Sequence, residues 1–225
     1  MARHWARKEA QRNEVAVFVE KLLAWSLSHK EAALGIGLCC FVSFLLGLYI
    51  IVRYSDTRKK AWEDLAVAEN LAYSGQIDNS QKQLQSLAQQ FSRSDAAAFG
   101  SLFAGDLSYR SGSFTDAAKS YQAVITDNRP QALIPFALAS LSAAQETAGN
   151  FAEAISTAQR FLQDYPEHVM APQVHITLAR SLLALGRREE AKTVLEKITL
   201  LYADTPWAQM ASQHLVEFQP AGPKP

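Results

Sequence analysis

The chain has 225 residues, 22 of them Lys/Arg and 22 Asp/Glu, for a formal net charge of zero. That length fits one soluble domain with additions, and the missing basic excess argues against nucleic-acid binding. The two cysteines, Cys39 and Cys40, are adjacent in an apolar run, where pairing is unfavourable and thiols ionise poorly, so no disulfide framework is expected.

Residues 1–31 carry six Lys/Arg against four Asp/Glu, and residues 53–225 carry sixteen against eighteen. The first segment is a basic tail. Within it, NEVAVFVEKLLAWSLS (13–28) places Val15, Phe18, Val19, Leu22, Leu23 and Trp25 at largely helical spacing. Such an amphipathic helix lies on a membrane surface or docks on a membrane partner; the residues alone leave both open.

Residues 32–52, AALGIGLCCFVSFLLGLYIIV, are 21 residues without a charge. A helix of about 20 apolar residues spans the hydrocarbon core of a bilayer. Lys30 and Glu31 precede the run, and Arg53, Arg58, Lys59 and Lys60 follow it. Trp25 and Tyr49 or Tyr54 sit at the levels of an aromatic belt. The run is too long and starts too late for a cleaved signal peptide, so an uncleaved anchor is expected. Charges near its two ends are nearly balanced and do not set the orientation. A short, net-positive tail favours the cytoplasm, because long domains cross membranes largely regardless of charge. Gly35, Cys39, Ser43 and Gly47 recur every four residues; a small stripe of this kind lets membrane helices approach closely. It is expected to pack against another membrane helix, or against a second copy of the chain in a homo-oligomer.

Beyond the span the sequence repeats. Gly75, Gly112, Gly149 and Gly186 lie 37 residues apart, each closing an Ala-rich apolar stretch. Five residues on come Ser80, Ala117, Ala154 and Ala191. At nine come Leu84, Tyr121, Ala158 and Leu195, and at twelve Leu87, Val124, Phe161 and Ile198. Glycine tolerates the positive φ that ends a helix cheaply. A small residue in the next helix lets its partner approach, and larger apolar residues one and two turns on fill the interface. Asp78, Asp116, Glu153, Glu189 and Glu190 follow the turns, where a helix start favours negative charge. Helices are therefore expected near 56–74, 77–91, 94–110, 114–127, 131–148, 151–164, 167–185, 188–202 and 205–218, the last as a cap, since a stack of repeats needs an atypical end. With no Pro or Gly between Tyr49 and Ser74, the first of them can run on from the span. The tail QPAGPKP (219–225) offers no core residue and is expected to be disordered.

No phosphate loop, nucleophile elbow or zinc motif occurs, and the five histidines are scattered. His168 and His175, seven apart, lack a carboxylate or cysteine companion. No catalytic residue, metal site or cofactor is expected.

The unit GNFAEAISTAQRFLQDYP (149–166) resembles the tetratricopeptide-repeat family. Phe114 and Phe151 take the family's aromatic position, Ala117, Ala154 and Ala191 its second-helix small residue, and Pro166 its closing proline. The period departs from the family's usual length of about 34. The first-helix tryptophan is missing, and the first-helix small residue becomes Ala68, Gly105, Ser142 and Ala179. The resemblance covers roughly 61–205 and, with the span read above, gives the expectation of an all-α chain: one N-terminal transmembrane helix, then an α-solenoid of about four helix pairs plus a capping helix. The implied domains are 1–31, 32–52, 53–218 and 219–225.

The resemblance also implies that first helices line a partner groove. Its register places Trp62, Leu65, Glu69 and Ala72 there, then Phe99, Leu102, Asp106 and Tyr109. Phe136, Ala139, Ala143 and Glu146 follow, and finally Gln173, Ile176, Arg180 and Leu183. Such a face suits an apolar or amphipathic segment of another protein; if the register is shifted by one, these residues pack in the core instead. The order of tail, span, charged helix and repeats resembles the bacterial YfgM-like family, ancillary to the SecYEG translocon. That likeness implies a single-pass inner-membrane protein with a cytoplasmic tail and periplasmic repeats. Its role would be a non-enzymatic adaptor beside the translocon, with periplasmic chaperones and client chains as partners. A cell-envelope scaffold and a cytoplasm-facing assembly factor are the alternatives.

Overall fold

Four turns share one backbone. Gly75, Gly112 and Gly149 each adopt φ +82°, and Gly186 +73°. The residues after them, Gln76, Ser113, Asn150 and Arg187, have φ between −87° and −81° with ψ of 60–63°. Each glycine N–H bonds the carbonyl three residues back. The next N–H reaches five back: Gln76 to Leu71 at 2.9 Å, Ser113 to Ser108 at 2.8 Å, Asn150 to Gln145 at 2.8 Å and Arg187 to Leu182 at 2.9 Å. This paired closure satisfies carbonyls that a helix end leaves open. The positive φ it needs is the reason glycine stands there.

This computed structural model describes residues 17–21, 24–216 and 218. The start of the basic tail (1–16), Leu22 and Leu23 of the expected amphipathic helix, and the tail at 219–225 lie outside the described residues. The chain divides into two units, Met1–Thr57 and Arg58–Pro225.

In the first unit, residues 17–21 and 24–28 are helical, and helix α1 begins at Lys30; it is assigned through to Tyr73. None of this unit's described side chains is buried: Leu38, Phe41, Phe44, Leu46 and Ile50 are all exposed. By length and composition α1 is able to cross a membrane.

The second unit is built of helix pairs. The end of α1 pairs with α2 (Ile77–Gln90), α3 (Asp95–Arg110) with α4 (Phe114–Asp127), α5 (Ile134–Thr147) with α6 (Phe151–Asp164), and α7 (Ala171–Ala184) with α8 (Arg188–Leu201); α9 (Pro206–Val216) closes the stack. The described residues are all-α, without a strand. Small residues sit where paired helices meet. Ala68, Gly105, Ser142 and Ala179 on the first helices and Ser80, Ala117, Ala154 and Ala191 on the second helices are all buried. Ser80 and Ser142 are the polar members; the Ser80 hydroxyl donates to the Ala68 carbonyl at 2.7 Å and the Ser142 hydroxyl to the Ala139 carbonyl at 2.8 Å, so burial leaves neither unsatisfied.

Larger side chains one and two turns on fill the core. Leu84, Tyr121, Leu195, Leu87, Val124, Phe161 and Ile198 are all buried, and a side chain of Phe size contributes about 2–3 kcal/mol by leaving water. Ala211 of α9 is buried against Ile176, Ala179, Leu195 and Ile198, so the last pair is capped.

Two helices start later than the apolar pattern suggests. Instead of one helix from 131, a short 3-10 turn covers Gln131–Leu133 and α5 begins at Ile134 with Pro135 in its first turn. Instead of 167, α7 begins at Ala171 with Pro172 in its first turn. Proline lacks an N–H and its preset φ suits the first turn, so it marks the start rather than the interior.

Candidate partner-binding face

The first helices present matching positions to one another. Trp62 and Phe99, each thirteen residues before its turn glycine, meet with ring centroids 5.4 Å apart. Phe136, at the same place in the third pair, is met edge-on by His168 at 5.0 Å. Trp62 is 38% exposed, and Phe99 and Phe136 are each 39% exposed, so the rings touch neighbours and still offer a face to solvent. Gln173 continues the row and is exposed.

A polar row runs beside the rings. Asp106 Oδ1 accepts the Tyr121 hydroxyl at 2.7 Å, a bond within the second pair. Burial first, and then the Asp106 bond, raise the Tyr121 phenol far above its usual range. Thr147 donates its hydroxyl proton to the Ala143 carbonyl at 2.8 Å. Its oxygen therefore accepts from the Tyr109 hydroxyl at 3.1 Å, joining the second pair to the third. Arg180 Nε lies 2.8 Å from Glu146 Oε1 and joins the third to the fourth. Glu146 is buried and Arg180 is 56% exposed. Burial raises the Glu146 carboxyl above its usual range, and the Arg180 guanidinium only partly opposes this.

Of the sixteen groove positions expected from sequence, twelve are exposed or half-buried, among them Trp62, Phe99, Leu102, Asp106, Tyr109, Phe136, Gln173 and Arg180. Four are buried. Glu146 is the carboxylate paired with Arg180. Leu65 is 4% exposed in the core of the first pairs, Ala139 is 3% exposed in the central core, and Ile176 is 4% exposed beneath α9. These last three lie ten residues before the turn glycine, so they are packing residues and not part of the surface. His168 was missed. It comes from the loop between the third and fourth pairs, accepts the Met170 N–H at 3.2 Å, and lies outside the 37-residue register that would have found it.

In the stripe Gly35, Cys39, Ser43 and Gly47, Cys39 and Ser43 are exposed, and a Cβ built on either glycine has nothing within 4 Å. Among the described residues no group of three His, Cys, Asp or Glu is placed to hold a metal ion.

Two tetratricopeptide-repeat family models match, over residues 65–132 and 147–214, together more than half of the chain. No curated protein matches the sequence. Among solved structures, a Podosopora anserina protein described as a kinesin light chain with nearly identical TPR-like repeats is similar over 65% of this chain and 76% of its own, at 18% identity and a TM-score of 0.53. MamA of AMB-1 is similar over 63% of this chain and 79% of its own, at 20% identity and a TM-score of 0.53. A further MamA structure is similar over 76% and 81%, at 13% identity and a TM-score of 0.53. At such identities the likeness concerns the fold alone.

Proposed function

Since the chain belongs to the tetratricopeptide-repeat family, we propose that it is a membrane-anchored, non-enzymatic adaptor that holds segments of other proteins against the first-helix face of its repeats. The row Trp62, Phe99 and Phe136 carries this proposal. Large rings in register, each more than one-third exposed, are costly to leave in water and favourable to cover with a partner. The apolar, wholly uncovered stretch of α1 supports the anchor. The stripe Gly35, Cys39, Ser43 and Gly47 is its contact with other membrane helices.

The short, net-positive tail favours a cytoplasmic N-terminus and periplasmic repeats in a bacterial inner membrane. The YfgM-like layout supports a place beside the SecYEG translocon, where emerging clients and periplasmic chaperones would be the partners. A reporter active only outside the cytoplasm, fused after Pro225, tests the topology. Signal from it, with translocon subunits retained through mild-detergent purification, is expected. Signal only from a matched cytoplasmic reporter would remove the translocon role and leave a cytoplasm-facing assembly factor. An outside signal with cell-wall or outer-membrane machinery in place of translocon subunits would make the chain an envelope scaffold.

A further inference from the structure

The first-helix face carries charge as well as rings, and the charge is unbalanced. Glu69 and Asp106 share one register position, six residues before Gly75 and Gly112, and both are half-buried. Among the described residues, neither forms an ion pair. Asp106 accepts the Tyr121 hydroxyl, which uses one of roughly four acceptor positions of a carboxylate. Two cations near this face are already paired: Arg58 lies 3.8 Å from Asp95, and Arg180 lies 2.8 Å from Glu146. What remains for a partner is two unmatched carboxylates beside the exposed faces of Trp62 and Phe99.

Both features attract the same chemistry. Aromatic faces carry negative charge density and draw Lys or Arg, and a half-buried carboxylate covered by a partner needs a cation to offset lost water. An acidic segment would meet Glu69 and Asp106 as like charges, and a purely apolar one would cover them without compensation. We propose that this face docks a polypeptide segment in which Lys or Arg side chains alternate with large apolar ones. The cations go to Glu69 and Asp106 and the apolar groups to the Trp62–Phe99–Phe136 row. The proposal rests on the first-helix face being the docking surface.

The test uses the full chain in a zwitterionic detergent, with empty micelles as the blank and three fluorescent peptides of equal length as probes: Lys alternating with Phe, Glu alternating with Phe, and Lys alternating with Ser. Anisotropy should show the Lys/Phe peptide binding about ten-fold tighter than either other peptide, and weakening as salt shortens the reach of charge. Glu69→Gln with Asp106→Asn should weaken it roughly five-fold. The asparagine keeps an acceptor for Tyr121, and circular dichroism checks that the helices persist. Equal binding of the Glu/Phe peptide, or no effect of the double substitution, overturns the cationic preference. The docking surface itself survives that result if Phe99→Ser with Phe136→Ser abolishes binding. Binding insensitive to Phe99 and Phe136, or no binding above empty micelles, overturns both.

Discussion

Trp62 and Phe99 stand one full repeat apart in the chain and meet ring against ring, with centroids 5.4 Å apart. A 37-residue step in sequence thus becomes van der Waals contact between neighbouring first helices. The Tyr109–Thr147 hydrogen bond and the Glu146–Arg180 pair likewise join successive first helices, one and two repeats further on. The face proposed for partners is therefore also part of what holds successive repeats in register.

Gly105 is replaceable only at a cost. A Cβ there would lie 2.4 Å from Tyr121 Cε1 and 2.7 Å from Cδ1, and the ring is buried and bonded to Asp106, so it has little room to retreat. Gly105→Ala should destabilise the fold by about 1–3 kcal/mol through overpacking, read as a lower midpoint of chemical unfolding. Tyr121→Phe keeps the ring and loses only the hydrogen bond, about 1 kcal/mol.

Gly149 fails for the opposite reason. A Cβ at Gly149 has nothing within 4 Å, but its φ is +82°, so strain alone opposes a side chain. Gly149→Val should cost about 1–2 kcal/mol, and Gly149→Asn clearly less, because asparagine tolerates the left-handed region. An unfolding curve that does not separate valine from asparagine would mean the turn relaxes to another conformation.

The Glu146–Arg180 pair is asymmetric. Burial already favours the neutral form of Glu146, whereas Arg180 is more than half exposed. Glu146→Gln is therefore expected to be nearly neutral. Arg180→Ala should cost about 1–2 kcal/mol by leaving a buried carboxylate without its cation, reduced from a fully buried pair by solvent screening. Equal losses in the two variants, measured by urea unfolding, would contradict this ordering.

His175 makes the end of the stack sensitive to acid. It is 4% exposed, its Nδ1 has no hydrogen-bond partner, and Tyr202 of the α8–α9 junction lies beside its ring. Burial first, and then the Lys197 charge, lower its pKa from 6.5 to about 4. The unfolded chain then binds the extra proton, so stability is full above pH 6.5 and falls as the pH drops toward about 4. Between about pH 7.5 and 5.5 the loss is on the order of 1 kcal/mol. His175→Phe should flatten that part of the melting-temperature profile, and an unchanged slope would contradict the assignment.

Much of the fold was legible because each repeat imposes the same demands at the same places. A positive φ calls for glycine, close helix pairs call for Ala68, Ser80, Ala117, Ser142 and Ala154, and the interface behind them calls for Leu, Val, Tyr or Phe. The surface was less legible. Ala139 and Ile176 share the apolar character of Phe99 and Phe136, and only packing against the next helices and α9 tells core from face. The late starts of α5 and α7 were written in Pro135 and Pro172, which an apolar period alone outweighs. His168 belongs to a loop, where no period applies, so its contact with Phe136 had no sequence signal.

The central claim is that polypeptides dock on the first-helix face. A photo-reactive amino acid placed at Phe99 or Phe136 of the full chain in cells tests it most directly, with Gln85 and Gln159, exposed on second helices, as controls. Discrete polypeptide adducts from 99 and 136, reduced on adding Asp106→Asn with Glu69→Gln and missing from 85 and 159, are the expected result. Adducts of equal yield from all four positions, or none from 99 and 136, would contradict it.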